Sequence, residues 1–110
     1  VHIDTLFEHD FILVTGIADS SYLVEFLESK AFIFEHLKYS DHYNFSKSSI
    51  NKIRGLSVEK KILTTEKDFG RLRPKISDRD IYYIEVSMKF NSEINDYNFD
   101  ETIKEYINKD

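Results

Sequence analysis

Short apolar runs alternate along this chain with segments whose apolar residues recur at helical spacing, and this alternation constrains the fold more than any other feature. Runs rich in apolar, β-branched and aromatic residues predict four strands, at residues 10–16, 31–39, 60–65 and 80–90. Between them, the spacing predicts a helix after Ser20, another from Ser46 and a short one over 66–72. Because parallel strands need crossover connections, this order favours an α/β fold: a small, three-layer, Rossmann-like domain with a mainly parallel four-stranded sheet.

Local signals predict where the helices begin and end. Phe45 and Ile50 flank the Ser46 cap in the arrangement of a hydrophobic staple, and Gly55 is placed to terminate that helix. Pro74 is placed to stop the short helix over 66–72, since proline cannot continue a helix.

The last segment, residues 98–110, predicts a closing helix. Asp100 stands at its capping position, and the apolar residues that follow share one face at helical spacing. These residues are Phe99, Ile103, Tyr106 and Ile107.

Length and composition exclude several classes of protein. A chain of 110 residues makes one domain, and its net charge of −5 argues against a nucleic-acid footprint. The absence of cysteine removes disulfides and thiolate metal sites, and no HExxH, His-x-His or calcium-loop spacing predicts a metal site. The sequence has no GxxxxGK[ST] phosphate loop, no G-x-S-x-G elbow and no apolar run of about 20 residues that would span a membrane.

Polar and charged residues follow the first three predicted strands directly. "TGIADSS" follows the first strand, "SDH" (residues 40–42) the second, and the end of "TTEKD" (residues 64–68) the third. Because ligands of open parallel sheets bind at the carboxyl ends of the strands, we expect these loops to form a functional edge.

Taken singly, these residues admit ordinary explanations. His42 fits a general base, a hydrogen-bond donor to phosphate, a partner that orients a carboxylate, or a solvated loop residue. Asp41 either fixes the tautomer of His42 or shapes a turn. Lys67 and Arg71 bind phosphate oxygens or pair on the surface with their acidic neighbours. The two threonines, 64 and 65, cap the following turn.

Three segments in combination are more specific. "GIADSSYLVEFL", "YSDHYNFS" and "ILTTEKDFGRL" stand in the order and spacing of motifs in the C-terminal portion of tetraacyldisaccharide 4′-kinases, the lipid A 4′-kinases. The chain resembles that family over residues 10 to about 90. Because it also begins without methionine, we expect residues 1–110 to be a single α/β domain from the C-terminal portion of a longer kinase.

The resemblance implies an activity for the longer chain. Such enzymes transfer the γ-phosphoryl group of ATP to the 4′-hydroxyl of tetraacyldisaccharide 1-phosphate, a step of lipid A formation in Gram-negative bacteria. ATP and Mg²⁺ are expected to bind mainly to a P-loop domain that is absent here, and no cofactor is expected on residues 1–110. This piece alone is expected to be inactive. The parent enzyme is expected on the cytoplasmic face of the inner membrane, with its membrane contact on the absent part.

The resemblance also implies roles for individual residues. In the family, a histidine of the DH pair assists a catalytic aspartate of the P-loop domain; His42 matches that position, and Asp41 supports its loop. The residues expected to shape the interdomain and substrate-facing surface are Thr65, Glu66, Lys67, Asp68 and Arg71.

A second hypothesis assigns the chain to a different class of protein. A stand-alone α/β interaction or regulatory module, similar in architecture to a receiver, would use the same loops to contact a protein partner. A receiver needs acidic residues after its first strand, where this chain has "TGIAD".

Overall fold

A computed structural model describes residues 10–86, 90–91, 96–97 and 103–109, with side chains described over 10–85. The strands are β1 Phe11–Thr15, β2 Phe34–Lys38, β3 Lys61–Thr65, β4 Ile81–Val86, β5 Phe90–Asn91, β6 Asp96–Tyr97 and β7 Ile103–Lys109. The helices are α1 Ser21–Ser29, α2 Lys47–Leu56 and α3 Glu66–Leu72. The four predicted strands and the three predicted internal helices are all present.

Five strands form the main sheet, in the order β2-β1-β3-β4-β7. Strands β1 to β4 pair in parallel, and β7 joins β4 in the antiparallel sense. The mainly parallel α/β fold is therefore confirmed, with a fifth strand added at one edge. The inner strands β1 and β3 are almost wholly buried, as expected where both faces of a parallel sheet are covered, although β3 ends in two threonines.

The core has two layers, one on each face of the sheet. Successive side chains of a strand point to opposite faces, so Phe11 and Leu13 enter one layer while Ile12 and Val14 enter the other. Helix α1 covers the first layer with Leu23, Phe26 and Leu27. Helices α2 and α3 cover the second with Ile50, Ile53 and Leu72. Helix, sheet and helix thus make three layers.

The Ser46 cap is confirmed, but the predicted end at Gly55 is wrong. The Ser46 hydroxyl accepts the Ser49 N–H at 3.2 Å, and Phe45 and Ile50 are both buried in the second core layer. Helix α2 continues through Gly55 to Leu56, which packs against that same layer. Packing of the half-buried Leu56 favours this continuation and opposes the cost of about 1 kcal/mol that glycine imposes on a helix interior.

The predicted closing helix is also wrong, because residues Ile103–Lys109 form strand β7. Ile107 stands opposite Ile84 and Ile103 opposite Val86, with an irregularity in register between these two pairs. An unpaired β4 edge offers a row of backbone donors and acceptors, and pairing with it overrides a helical spacing of only a few residues. The expected Asp100 cap lies outside the described residues.

In the described part of the chain, no helix is both long enough and apolar enough to cross a membrane.

Candidate functional site

The carboxyl ends of β2, β1 and β3 lie side by side because these strands are parallel neighbours. Their following segments supply Gly16 after β1, Asp41 and His42 after β2, and Asp68 and Arg71 on α3 after β3. We call these five residues the carboxyl-end rim. The expected grouping of polar side chains at one edge holds for the segments after β2 and β3, whereas the segment after β1 contributes the Gly16 peptide groups.

Asp68 is the centre of the rim, and its side chain is fully buried. Its Oδ2 accepts the backbone N–H of Gly16 at 2.8 Å and the hydroxyl of Thr65 at 2.8 Å. Its Oδ1 accepts a guanidinium N–H of Arg71 at 3.0 Å. The carboxylate therefore joins the loop after β1 to helix α3, and each of its oxygens has a donor.

The sequence favours this arrangement at the start of α3. Thr65 is the N-cap, and its hydroxyl accepts the Asp68 N–H at 3.2 Å while donating to the Asp68 carboxylate. This is a variant of the capping box, in which the third helical residue returns a hydrogen bond to the cap. Because Asp68 sits on the first turn, its negative charge also lies at the favourable end of the helix dipole.

Gly16 is needed here for space rather than for an unusual backbone angle. A Cβ at this position would lie 2.9 Å from Asp68 Oδ1 and 3.2 Å from the Ser40 carbonyl oxygen. Both backbone polar groups of Gly16 form hydrogen bonds: its N–H donates to Asp68, and its carbonyl accepts the His42 N–H at 2.8 Å. In the sequence, Gly16 marks the end of a strand, and a glycine at the end of a buried strand is also a signal of close approach.

His42 is held by its backbone and by one ring nitrogen. Its φ of 56° places it in the left-handed region, where its N–H reaches Gly16. Arg71 Nη2 lies 2.6 Å from His42 Nδ1. Because a guanidinium carries only donors, Nδ1 accepts, and the proton of the neutral ring stands on Nε2. The His42 side chain is 71% exposed.

Asp41 makes a looser contact with the histidine. Its Oδ2 lies 3.8 Å from His42 Nε2, and its side chain is 48% exposed. The short contact to the ring comes from Arg71 instead. Of the acidic neighbours expected to pair with Arg71, the structure shows Asp68, and this carboxylate is buried rather than on the surface.

Glu66 and Lys67 lie on the same first turn of α3 but are exposed. Among the residues that the structure describes, the network of Asp68, Arg71 and His42 does not include them. His36 on β2 lies apart as well: its Nε2 is 2.8 Å from the Thr15 hydroxyl. Partial burial, with a smaller effect of the Lys38 charge, lowers the pKa of His36.

The described residues of the rim lack the side-chain grouping of a metal site and the glycine-rich loop of a phosphate cradle. Within the described ranges, no group of three or more histidine or acidic side chains is placed to hold a metal. The Asp68 oxygens already accept three hydrogen bonds within the protein, so this carboxylate is not open to a cation. The loop after β1 has one glycine, too few for a phosphate cradle.

A cleft of about 370 Å³ lies at the opposite edge of the sheet, between the segments that precede β3 and β4. Charges of both signs line it, and Arg54 donates to Asp78 there through its two terminal guanidinium nitrogens, Nη1 and Nη2. The hydrogen bonds from Arg54, more than its charge and that of Arg79, lower the pKa of Asp78. These paired charges have the ordinary character of an exposed ion-pair cluster.

Comparison with known proteins gives consistent matches. A family model described as tetraacyldisaccharide-1-P 4′-kinase matches residues 2–108. The curated tetraacyldisaccharide 4′-kinase of Flavobacterium psychrophilum is 33% identical over 96 residues, and that of Flavobacterium johnsoniae 32% over 96; each match covers 87% of this chain and 27% of the relative. The corresponding protein of Pelagibacter ubique is 31% identical over 91 residues, 80% of this chain and 29% of its own. No solved structure shows a significant match.

The Asp68→Asn substitution should destabilise the protein by about 3 kcal/mol, because an amide nitrogen would face a donor and Arg71 would lose its charge partner. Urea unfolding followed by circular dichroism measures this loss. Asp78→Asn is the matched control, since it removes an exposed carboxylate from an arginine pair, and should cause a much smaller change. Equal losses in the two variants would contradict the central place of Asp68.

The Gly16→Ala substitution should destabilise the protein by ~2 kcal/mol, because the added methyl group overlaps Asp68 Oδ1 and the Ser40 carbonyl. Gly70→Ala is the control: apart from its chain neighbours and the backbone of its own helix, nothing lies within 4 Å of the added carbon, so it should stabilise by about 0.5–1 kcal/mol. Thermal unfolding of both variants checks the opposite signs, and a neutral Gly16→Ala would contradict the close packing at the rim.

Proposed function

The chain belongs to the tetraacyldisaccharide 4′-kinase family, and from this premise we propose that it is the C-terminal α/β domain of such a kinase and supplies one wall of the catalytic cleft. The chain spans less than a third of the length of the curated relatives. The parent enzyme transfers the ATP γ-phosphoryl group to the 4′-hydroxyl of tetraacyldisaccharide 1-phosphate. ATP and Mg²⁺ are held by a P-loop domain of the same parent chain, at the cytoplasmic face of the inner membrane.

The observation that supports this role most strongly is the orientation of His42. Its Nδ1 is occupied by Arg71, so its Nε2–H is the ring's remaining polar group, on a side chain that is 71% exposed. A donor held this way can bind a carboxylate brought by a facing domain. In this proposal, His42 donates Nε2–H to the carboxylate that accepts the proton of the attacking hydroxyl.

In this proposal, His42 assists the reaction by holding the base carboxylate in position. Phosphoryl transfer depends mainly on alignment and on stabilising charge, and a histidine that fixes the base carboxylate contributes to alignment. The rigid rim suits that task, since the His42 backbone is tied to Gly16 and its ring to Arg71. Closing the cleft against this rim would bring His42 to the base and exclude water.

The exposed first turn of α3 is proposed to face the other domain. Glu66 and Lys67 are the exposed members of the charged stretch and lie on the helix that carries Arg71. Thr65 and Asp68 are buried and hold the loops together. The interdomain surface therefore uses the outer two charges, and the inner residues support it.

The rival regulatory-module reading lacks a supporting observation. A receiver-like domain would need an accessible carboxylate after its third strand, but Asp68 in this position is buried and hydrogen-bonded on both oxygens. Such a group is not open to a phosphoryl donor.

The test is made in the complete kinase chain that carries this domain. His42→Ala and His42→Asn should each lower kcat at saturating ATP about 10²-fold, because the base carboxylate loses its partner. The asparagine variant keeps a residue type that tolerates the left-handed backbone of position 42, so its loss is not an effect of the turn.

His36→Gln is the matched histidine control, since glutamine keeps a polar partner for the Thr15 hydroxyl and should leave kcat nearly unchanged. Steady-state kinetics with both substrates measure the difference. Unchanged turnover in both His42 variants would make His42 an ordinary loop residue and contradict the proposed role.

A further inference from the structure

One arginine joins the buried centre of the rim to its exposed histidine. Arg71 Nη1 lies 3.0 Å from Asp68 Oδ1, and Nη2 of the same guanidinium lies 2.6 Å from His42 Nδ1. Asp68 is fully buried and the His42 side chain largely exposed, while Arg71 lies between them with 31% of its side chain exposed. The guanidinium thus links the exposed His42 ring to a carboxylate that is fixed in the core.

Arginine suits this bridge for reasons of geometry and charge. Its fork is planar and presents its nitrogens at fixed separation, and its positive charge pairs with the Asp68 carboxylate. Asp68 is held by Gly16 and Thr65 and so anchors the fork from behind. A lysine would offer one nitrogen, on a flexible stem, for two acceptors that belong to different elements.

We propose that Arg71 is a positioning residue of the transfer reaction: by donating to Nδ1, it keeps the proton of the neutral His42 ring on Nε2 and fixes the direction of that N–H. This inference rests on the proposed function of His42. Without the Arg71 donor, the ring can carry its proton on either nitrogen and can turn about its side-chain bonds, so a smaller fraction of molecules presents Nε2–H to the partner carboxylate.

The ring itself provides the first test, which needs no turnover. Long-range ¹H–¹⁵N correlation spectra distinguish a protonated from an unprotonated imidazole nitrogen, and His42→Asn identifies the signals among the four histidines. At a pH where the ring is neutral, the unmodified protein should show Nδ1 unprotonated and Nε2 protonated. Arg71→Lys should move both signals toward the average of two exchanging tautomers, whereas Arg54→Lys, in an arginine–aspartate pair at the opposite edge, should not.

The second test is kinetic and uses the complete kinase chain. Arg71→Lys should lower kcat about tenfold with little change in the KM for ATP. Combined with His42→Asn, it should cause no further loss, because a residue that acts through the histidine has nothing to position once the imidazole is gone. Losses that multiply would show that Arg71 contacts a substrate directly and would overturn the positioning role.

The outcomes separate this inference from the proposed function. If His42→Asn lowers turnover but Arg71→Lys leaves kcat and the ring spectrum unchanged, the positioning role of Arg71 fails alone. If His42→Asn and Arg71→Lys both leave turnover intact, the positioning role and the proposed function both fail. This holds even where the spectrum shows the ring proton on Nε2. A spectrum of the unmodified protein with Nδ1 protonated would overturn the inference directly.

Discussion

The buried carboxylate of Asp68 is the constraint on which the rim depends. Removing a carboxylate from water costs several kcal/mol unless donors replace the solvent, and here a backbone amide, a hydroxyl and a guanidinium do so. These donors come from Gly16, Thr65 and Arg71, so satisfying one charge fixes the loop after β1 against α3. The loop after β2 is then held through Gly16 and Arg71, which bind the backbone and the ring of His42.

This network explains the charged stretch that follows β3. Thr65, Asp68 and Arg71 are spaced by three residues, which places a helix cap, a first-turn carboxylate and an arginine on one side of α3. Those three bind one another, whereas Glu66 and Lys67, between them in sequence, are exposed. One short motif thus serves two purposes, because its inner residues hold the loops and its outer charges are available to a facing surface.

Strongly periodic segments could be predicted from the sequence, and tertiary effects could not. Strands β1 to β4 and helices α1 to α3 follow their apolar patterns. Local spacing predicts a helix for the last segment, because it does not reveal the β4 edge that pairs with β7. The grouping of rim loops followed from parallel topology, but the burial of Asp68 did not, since acidic residues are mostly exposed. The contact between Arg71 and His42 joins residues 29 apart and needed the fold.

The central claim is that Asp68 fixes the loop after β1 in the protein as it stands, and native-state hydrogen exchange of the Gly16 amide tests it most directly. This N–H is buried and bonded to Asp68 at 2.8 Å, so it should exchange as slowly as amides of the central strand β3. The amide of exposed Ala18 in the same loop is the internal reference for fast exchange. A Gly16 amide that exchanges as fast as that of Ala18 would contradict the account.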